Sequence, residues 1–385
     1  MLRTLLALLL LSRAAWAADP AALRSALQRH VDAGEVAGAL GLVWTAKDGP
    51  VTAVVGFADL AAPRPMRTDD LFWIASMTKP VTAVAVLMLQ DEGKLSVDDP
   101  LARFLPEFKE PPFVQENREG KPARRPVRPL TLRDLLTHTS GLQGEPKPSD
   151  HTPTLAELSE HAARQPLLFE PGARWSYGNP GINVLGRVVE VVSGQPYAEF
   201  LDARIFKPLG MKDTTFWPDD AQAARIATPY KKGRGGKLEP TGISFIQGGL
   251  SDRARPPRPA GGLFSTADDM LVFYRMMLAG GELDGRRYLS PAAHRLLTTT
   301  QTAGIETGFT RGMSWGLGFQ VVKEPQGVTS MLAPGTYGHG GAYGTQSWAD
   351  PTAGAVYILM IQRAGFPNGD DAPIRRDFQA AAAQR

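Results

Sequence analysis

The stretch IASMTKPVTAVAVLML, residues 74–89, puts a lysine at the head of an apolar helix. Ser76 stands three residues ahead of Lys79. As pure structure this is a poor choice. A capping box wants Glu or Gln at the place Lys79 holds, and the charge of Lys79 opposes the positive end of the helix dipole. Pro80 also removes an N–H that would have bonded the carbonyl of Ser76. As chemistry the stretch is coherent. Residues i and i+3 share a helix face, so the Lys79 amine reaches the Ser76 hydroxyl. A serine alcohol is a weak nucleophile that needs a base. Burial and the positive helix end both favour the neutral amine, and the N–H of Ser76 points where an oxyanion would sit.

Composition sets the frame for that chemistry. The chain has 385 residues, 43% hydrophobic and 21% charged, which suits a globular protein with a sizeable core. Residues 1–17 read as a signal peptide. Arg3 is the positive flank, Leu5 to Leu11 the short apolar core, and Ala15-Trp16-Ala17 a small-x-small cleavage site. The expected product is exported, periplasmic or secreted, with no stable membrane anchor. Without Arg3 and Arg13 the chain carries 40 basic against 39 acidic residues. The basic stretches 121–128 and 231–237 lie among Pro and Gly and read as solvated loops, so no nucleic-acid partner is expected. The absence of cysteine excludes disulfides, a thiol nucleophile and thiolate metal sites.

Along the chain, Asp19 to Gly34 carries a helix with its own start and stop signals. Residues 39–47 and 51–59 read as an antiparallel hairpin across the turn KDGP. Residues 315–323, 345–351 and 354–362 are strand candidates, and a helix from about Asp371 to Ala383 follows them. Strands at both ends with helices between suggest one sheet assembled from distant segments. The middle shows helical periodicity at 131–139, 154–165, 181–194 and 196–206, whereas 231–262 has little. The expected fold class is α/β (α+β): an antiparallel sheet flanked by terminal helices, with a mainly helical second domain. The sheet domain would comprise 18–95 plus 251–385, and the inserted helical domain 96–250.

Two further stretches bear on the serine and lysine. FEPGARWSYGNPGINVLG, residues 169–186, holds Tyr177 and Asn179 just before a helix. YGHGGAYGTQSWAD, residues 337–350, is a glycine-rich lead into a strand, with little bulk to keep a substrate backbone away. With Ser76-x-x-Lys79, these stretches resemble the serine β-lactamase and penicillin-binding-protein superfamily. Within it they are most similar to the branch of class C β-lactamases, D-alanyl-D-alanine carboxypeptidases and family VIII carboxylesterases, the last above all. LLTHTSGL (135–142), GGLFSTADDM (261–270) and WGLGF (315–319) extend the resemblance, which runs from about Ala21 to Gln362.

The resemblance implies a β-lactamase/DD-peptidase-like fold and a set of roles. Ser76 would be acylated. Lys79 and Tyr177 would share proton transfer, with Tyr177 protonating the leaving group. Asn179 would hold the lysine and the acyl chain. The N–H groups of Ser76 and Ala342 would form the oxyanion hole. His339, Gly340 and Gly341 would stand where the family has Lys-Thr-Gly. A histidine there weakens carboxylate recognition, because unperturbed imidazole is mostly neutral at pH 7. A neutral small-molecule acyl ester is therefore the expected substrate. A D-alanyl-D-alanine carboxypeptidase or D-aminopeptidase, a weak class C-like β-lactamase, and a non-catalytic peptidoglycan-binding member are the alternatives. Gly312-x-Ser314-x-Gly316 imitates the nucleophile elbow of another hydrolase fold but precedes a strand, so Ser314 is expected to be a decoy. His138 reads as a structural hydrogen-bonding residue, and His30, His151, His161 and His294 as surface or helix-face residues. No zinc spacing and no P-loop occur, so neither metal nor cofactor is implied.

Overall fold

The computed structural model describes residues 18–110, 112–115, 124–146, 152–366 and 372–383. The expected signal peptide, His151 and Asp371 lie outside the described residues.

Asp19 caps the first helix, α1 (Pro20–Asp32), by accepting the Ala21 N–H at 2.9 Å. Pro20 occupies the first turn, where its missing N–H leaves nothing unsatisfied. Strands β1 (Gly38–Thr45) and β2 (Gly49–Asp59) form the expected hairpin, in register from Gly38 opposite Gly56 to Thr45 opposite Gly49. The short β3 (Arg64–Pro65) follows β2. From the C-terminal part come β4 (Met313–Trp315), β5 (Gln320–Val322), β6 (Tyr337–Gly340), β7 (Gln346–Asp350) and β8 (Ala355–Met360). They join one eight-stranded sheet in the order β4-β5-β6-β7-β8-β1-β2-β3. β8 pairs antiparallel with β1, Leu40 opposite Met360, so the two ends of the chain meet in the middle of the sheet.

Period-two alternation gives that sheet two apolar faces. Ala39, Val43, Ala355, Tyr357 and Leu359 pack against Leu23 and Leu27 of α1 and against Ile374 and Phe378 of the last helix. Leu40, Leu42, Val356, Ile358 and Met360 belong to a larger core on the other side. Helix α2 (Thr78–Asp91) runs through that core with every residue from Thr78 to Leu89 buried. A helix apolar on all sides is stable only where nothing faces water.

The remaining helices enclose α2. Thr131 and Asp134 form a capping box on α3 (Leu132–Leu136), and Thr154 and Glu157 form one on α4 (Leu155–Arg164). α5 (Pro180–Ser193) ends at Gly194, φ 71°, and packs against α2, α3 and α4. α6 (Ala267–Leu278) lies on β7 and β8, and α7 (Pro373–Ala382) packs on α1. Among the described residues no helix is long and apolar enough to cross a membrane.

Several expectations need correction. Residues 315–323 are not one strand: β4 and β5 pair with each other across a turn in which the Gly316 N–H donates to the Phe319 carbonyl at 2.9 Å. Helical periodicity at 131–139 gives only α3, because His138 takes a left-handed backbone, φ 58°. Within the aperiodic 231–262 a small hairpin pairs Tyr230–Lys232 with Leu238–Pro240. His30, read as a surface or helix-face residue, lies on a face of α1 that is turned inward. It is buried between Glu35, 2.5 Å from Nδ1, and Asp377, 3.0 Å from Nε2, and ties α1 to α7.

Gly318 sets how closely the β4–β5 turn approaches α2. Its φ is 80°, and a Cβ there would lie 2.4 Å from the Cβ of Ala83. Gly318→Val therefore combines left-handed strain with overpacking and is expected to cost about 2–4 kcal/mol. A urea unfolding midpoint equal to wild type would refute this.

Candidate active site

Two turns meet at the head of α2. The first is a 3-10 turn, Ala75–Met77, that carries Ser76 into the helix. Ala75 is held at φ 47°, a conformation an alanine adopts only under constraint. The constraint comes from residues 261–263. The Ile74 N–H donates to the Leu263 carbonyl at 3.0 Å, and the Trp73 indole N–H to the Gly261 carbonyl at 2.7 Å. The Thr78 hydroxyl links both sides, donating to the Ala75 carbonyl at 2.7 Å and accepting the Leu263 N–H at 3.2 Å. Ser76 itself makes no side-chain cap. Pro80 is the third residue of α2, inside the first turn, where orphan N–H groups are the rule.

Lys79 is fully buried. Its Nζ lies 2.9 Å from Ser76 Oγ, 2.9 Å from Asn179 Oδ1 and 2.7 Å from the Ala260 carbonyl. Burial lowers its pKa from the ordinary 10.5 to about 7, against a smaller opposing pull from the Glu145 carboxylate. A neutral amine has two N–H bonds and one lone pair. Two of its three neighbours, the Ala260 carbonyl and Asn179 Oδ1, only accept hydrogen bonds. Once the amine donates to both, its lone pair is left for the hydroxyl of Ser76. The same three contacts define the base and aim it.

The Tyr177 ring centroid is 4.7 Å from Lys79 Nζ. An aromatic face at this distance attracts the charged amine. Tyr177 is clasped by other rings: His138 at 4.6 Å, Phe309 at 4.9 Å, Trp315 at 5.9 Å and His339 at 6.1 Å between centroids. His138 is buried, and its pKa is well below the ordinary value because of burial, then the charges of Lys79 and His339. It therefore stays neutral and accepts the Gly178 N–H at Nδ1, 3.4 Å away. This matches its reading as a hydrogen-bonding residue.

His339, Gly340 and Gly341 close the site from β6 and the turn after it. His339 is 1% exposed, with Nδ1 2.6 Å from the Gly340 carbonyl oxygen, so its ring backs the site rather than facing solvent. Gly341 presses on the serine turn. A Cβ there would sit 2.6 Å from the Ile74 carbonyl oxygen. The low bulk of this strand thus serves the chain's own close packing. The turn continues through exposed Ala342 and closes with the Gly344 N–H on the Gly341 carbonyl at 3.0 Å.

The Beta-lactamase family matches residues 23–382. The chain belongs to the Beta-lactamase family. Protein Rv1367c of Mycobacterium tuberculosis is 34% identical over 370 residues, covering 88% of this chain and 89% of that protein. Esterase EstB of Burkholderia gladioli is 34% identical over 340 residues, covering 80% of this chain and 81% of that protein. The structure of EstCE1, described as a hydrolase with promiscuous acyltransferase activity, superposes with a TM-score of 0.77 over 93% of this chain and 98% of that one. Identity to it is 24%, so that likeness shows the fold.

In this Beta-lactamase-family chain Ser76, Lys79, Tyr177 and Asn179, singled out from the sequence, converge on one spot. Ser314 does not join them. It is buried in β4, with its hydroxyl 3.4 Å from that of Thr302. Sequence reasoning missed Ala260, which acts through its backbone, and the groups that hold it. Asn183, one turn along α5 from Asn179, accepts the Ala260 N–H at 3.1 Å. Thr82 donates to the Pro259 carbonyl at 2.8 Å and contacts the Tyr197 hydroxyl at 2.7 Å. No motif marks a carbonyl, but the polar Asn183 and Thr82 at otherwise apolar helix positions were a signal.

Lys79 also couples stability to pH. Unfolded, the amine holds its proton up to about 10.5; folded, it releases it near 7. Between those values unfolding takes up a proton, so folded stability rises with pH. The slope is at most about 1.4 kcal/mol per pH unit. Lys79→Met should abolish this rise, so the stability of wild type minus that of the variant should increase from pH 7 to pH 10. Parallel urea-stability curves for the two proteins would show that the amine is not depressed.

Proposed function

We propose that the protein is a serine hydrolase that cleaves acyl esters through a covalent acyl-Ser76 intermediate. The observation that carries this is the desolvated Lys79 amine, whose lone pair is left for the Ser76 hydroxyl at 2.9 Å. In acylation the Ser76 proton passes to Lys79 as Oγ bonds to the ester carbon. The negative charge then carried by the carbonyl oxygen is met by the N–H groups of Ser76 and Ala342. When the carbon–oxygen bond to the alcohol breaks, the departing oxygen receives a proton through Tyr177, which Lys79 replenishes. A water molecule then reverses the sequence: it loses its proton to the Tyr177–Lys79 pair, attacks the acyl carbon and releases the acid, and Ser76 regains its proton.

Neutral esters are favoured over carboxylate-bearing β-lactams or peptides by the burial of His339, which offers no exposed cation where the family pattern has lysine. The name of EstB, an esterase, supports the same choice. The apolar run Leu5 to Leu11 followed by Ala15-Trp16-Ala17 supports export of the mature chain.

Purified protein should hydrolyse short-chain p-nitrophenyl esters much faster than nitrocefin. Ser76→Ala should lower kcat/KM by about 10³-fold or more. Because the neutral amine is the working form, kcat/KM should fall as pH drops below an apparent pKa of about 7. Nitrocefin turnover, or D-alanine release from a D-Ala-D-Ala peptide, that outruns every ester would overturn the ester reading.

A further inference from the structure

Phe309 is 45% exposed, on the segment that leads into β4. A single exposed apolar ring on a protein surface needs no special explanation. Phe309 differs in its neighbours. It meets the Tyr177 ring at 4.9 Å and 67°, and the Trp175 ring at 5.6 Å and 79°. Trp175 in turn lies 5.3 Å from Trp315. Phe309 also borders a cavity of about 480 Å³ whose lining includes Ile305, Gly308 and Met313.

The chemistry says which part of a substrate lies beside these rings. The ester carbonyl oxygen is fixed at the N–H groups of Ser76 and Ala342. The departing oxygen must come within hydrogen-bonding reach of Tyr177 to be protonated. Its carbon substituent therefore leaves the reacting centre alongside Tyr177, where Phe309 and Trp175 continue the same aromatic surface. We propose that Phe309 and Trp175 form a binding shelf for the alcohol half of the ester, selecting substrates whose leaving group is an aryl or other bulky apolar alcohol. This rests on the ester-hydrolase reading and adds the half of the substrate that is recognised. Covering the exposed ring with an apolar group removes both surfaces from water, and edge-to-face contact between rings adds to that gain.

The test uses three acetate or methyl esters with the wild-type chain, Phe309→Ala and Phe309→Trp. For 2-naphthylmethyl acetate, Phe309→Ala should lower kcat/KM about tenfold or more, the loss expected from removing one ring's worth of buried contact. For methyl acetate, and for methyl 2-naphthylacetate, whose ring is on the acyl side, the change should stay within about twofold. Phe309→Trp should retain the naphthylmethyl preference. An equal loss on all three esters would mean that the ring only props Tyr177, and a loss confined to methyl 2-naphthylacetate would move the shelf to the acyl side; either overturns the proposal. A second measurement does not depend on turnover. Binding of 2-naphthylmethanol, followed by tryptophan fluorescence, should weaken about tenfold in Phe309→Ala. Equal binding by wild type and variant overturns the shelf. If wild type cleaves no ester but binds the alcohol through Phe309, the hydrolase reading fails and the shelf stands.

Discussion

The amine of Lys79 is shut away from water at the first turn of a helix that has no polar face. That one desolvated group organises the site. Burying a lysine costs free energy that the fold offsets in part with fixed acceptors, Asn179 from the start of α5 and the Ala260 carbonyl from the 258–262 turn. Both must stay in place for the amine to keep its aim. The polar groups behind them, Asn183 and Thr82, are thus part of the same arrangement although neither touches Ser76.

Other features serve the serine turn. Ala75 is kept in a left-handed conformation by a ladder of contacts to residues 261–263, and Gly341 brings the following turn of the chain against Ile74. Strain of this kind persists only where surrounding contacts over-determine the backbone. The nucleophile is therefore held between three distant segments, 73–79, 258–263 and 337–342, and none of them alone would give it a fixed position.

Sequence patterning revealed much of this because period and chemistry agree locally. The β1–β2 hairpin, the capped helices α4 and α5 and the meeting of Ser76 with Lys79 all follow from short-range rules. The breaks in 315–323 and 131–139 were harder to see. Gly318 and His138 adopt left-handed backbone there, beside α2 and beside Tyr177 respectively. The alternation of Trp315, Leu317, Phe319 and Val321 runs through the first break unchanged, whereas the second falls in the polar run Thr137 to Ser140. Ala260 was invisible for a different reason: its contribution is a carbonyl, which every residue has. The burial of His30 on its helix face was hidden because its partner Asp377 lies at the other end of the chain.

The His30 link has a practical side. It fastens the first and last helices together on one face of the sheet, while α2 and its serine occupy the opposite face. Immobilising the molecule on a solid support through exposed positions of α1 or α7 would therefore leave α2 and its serine on the side away from the support.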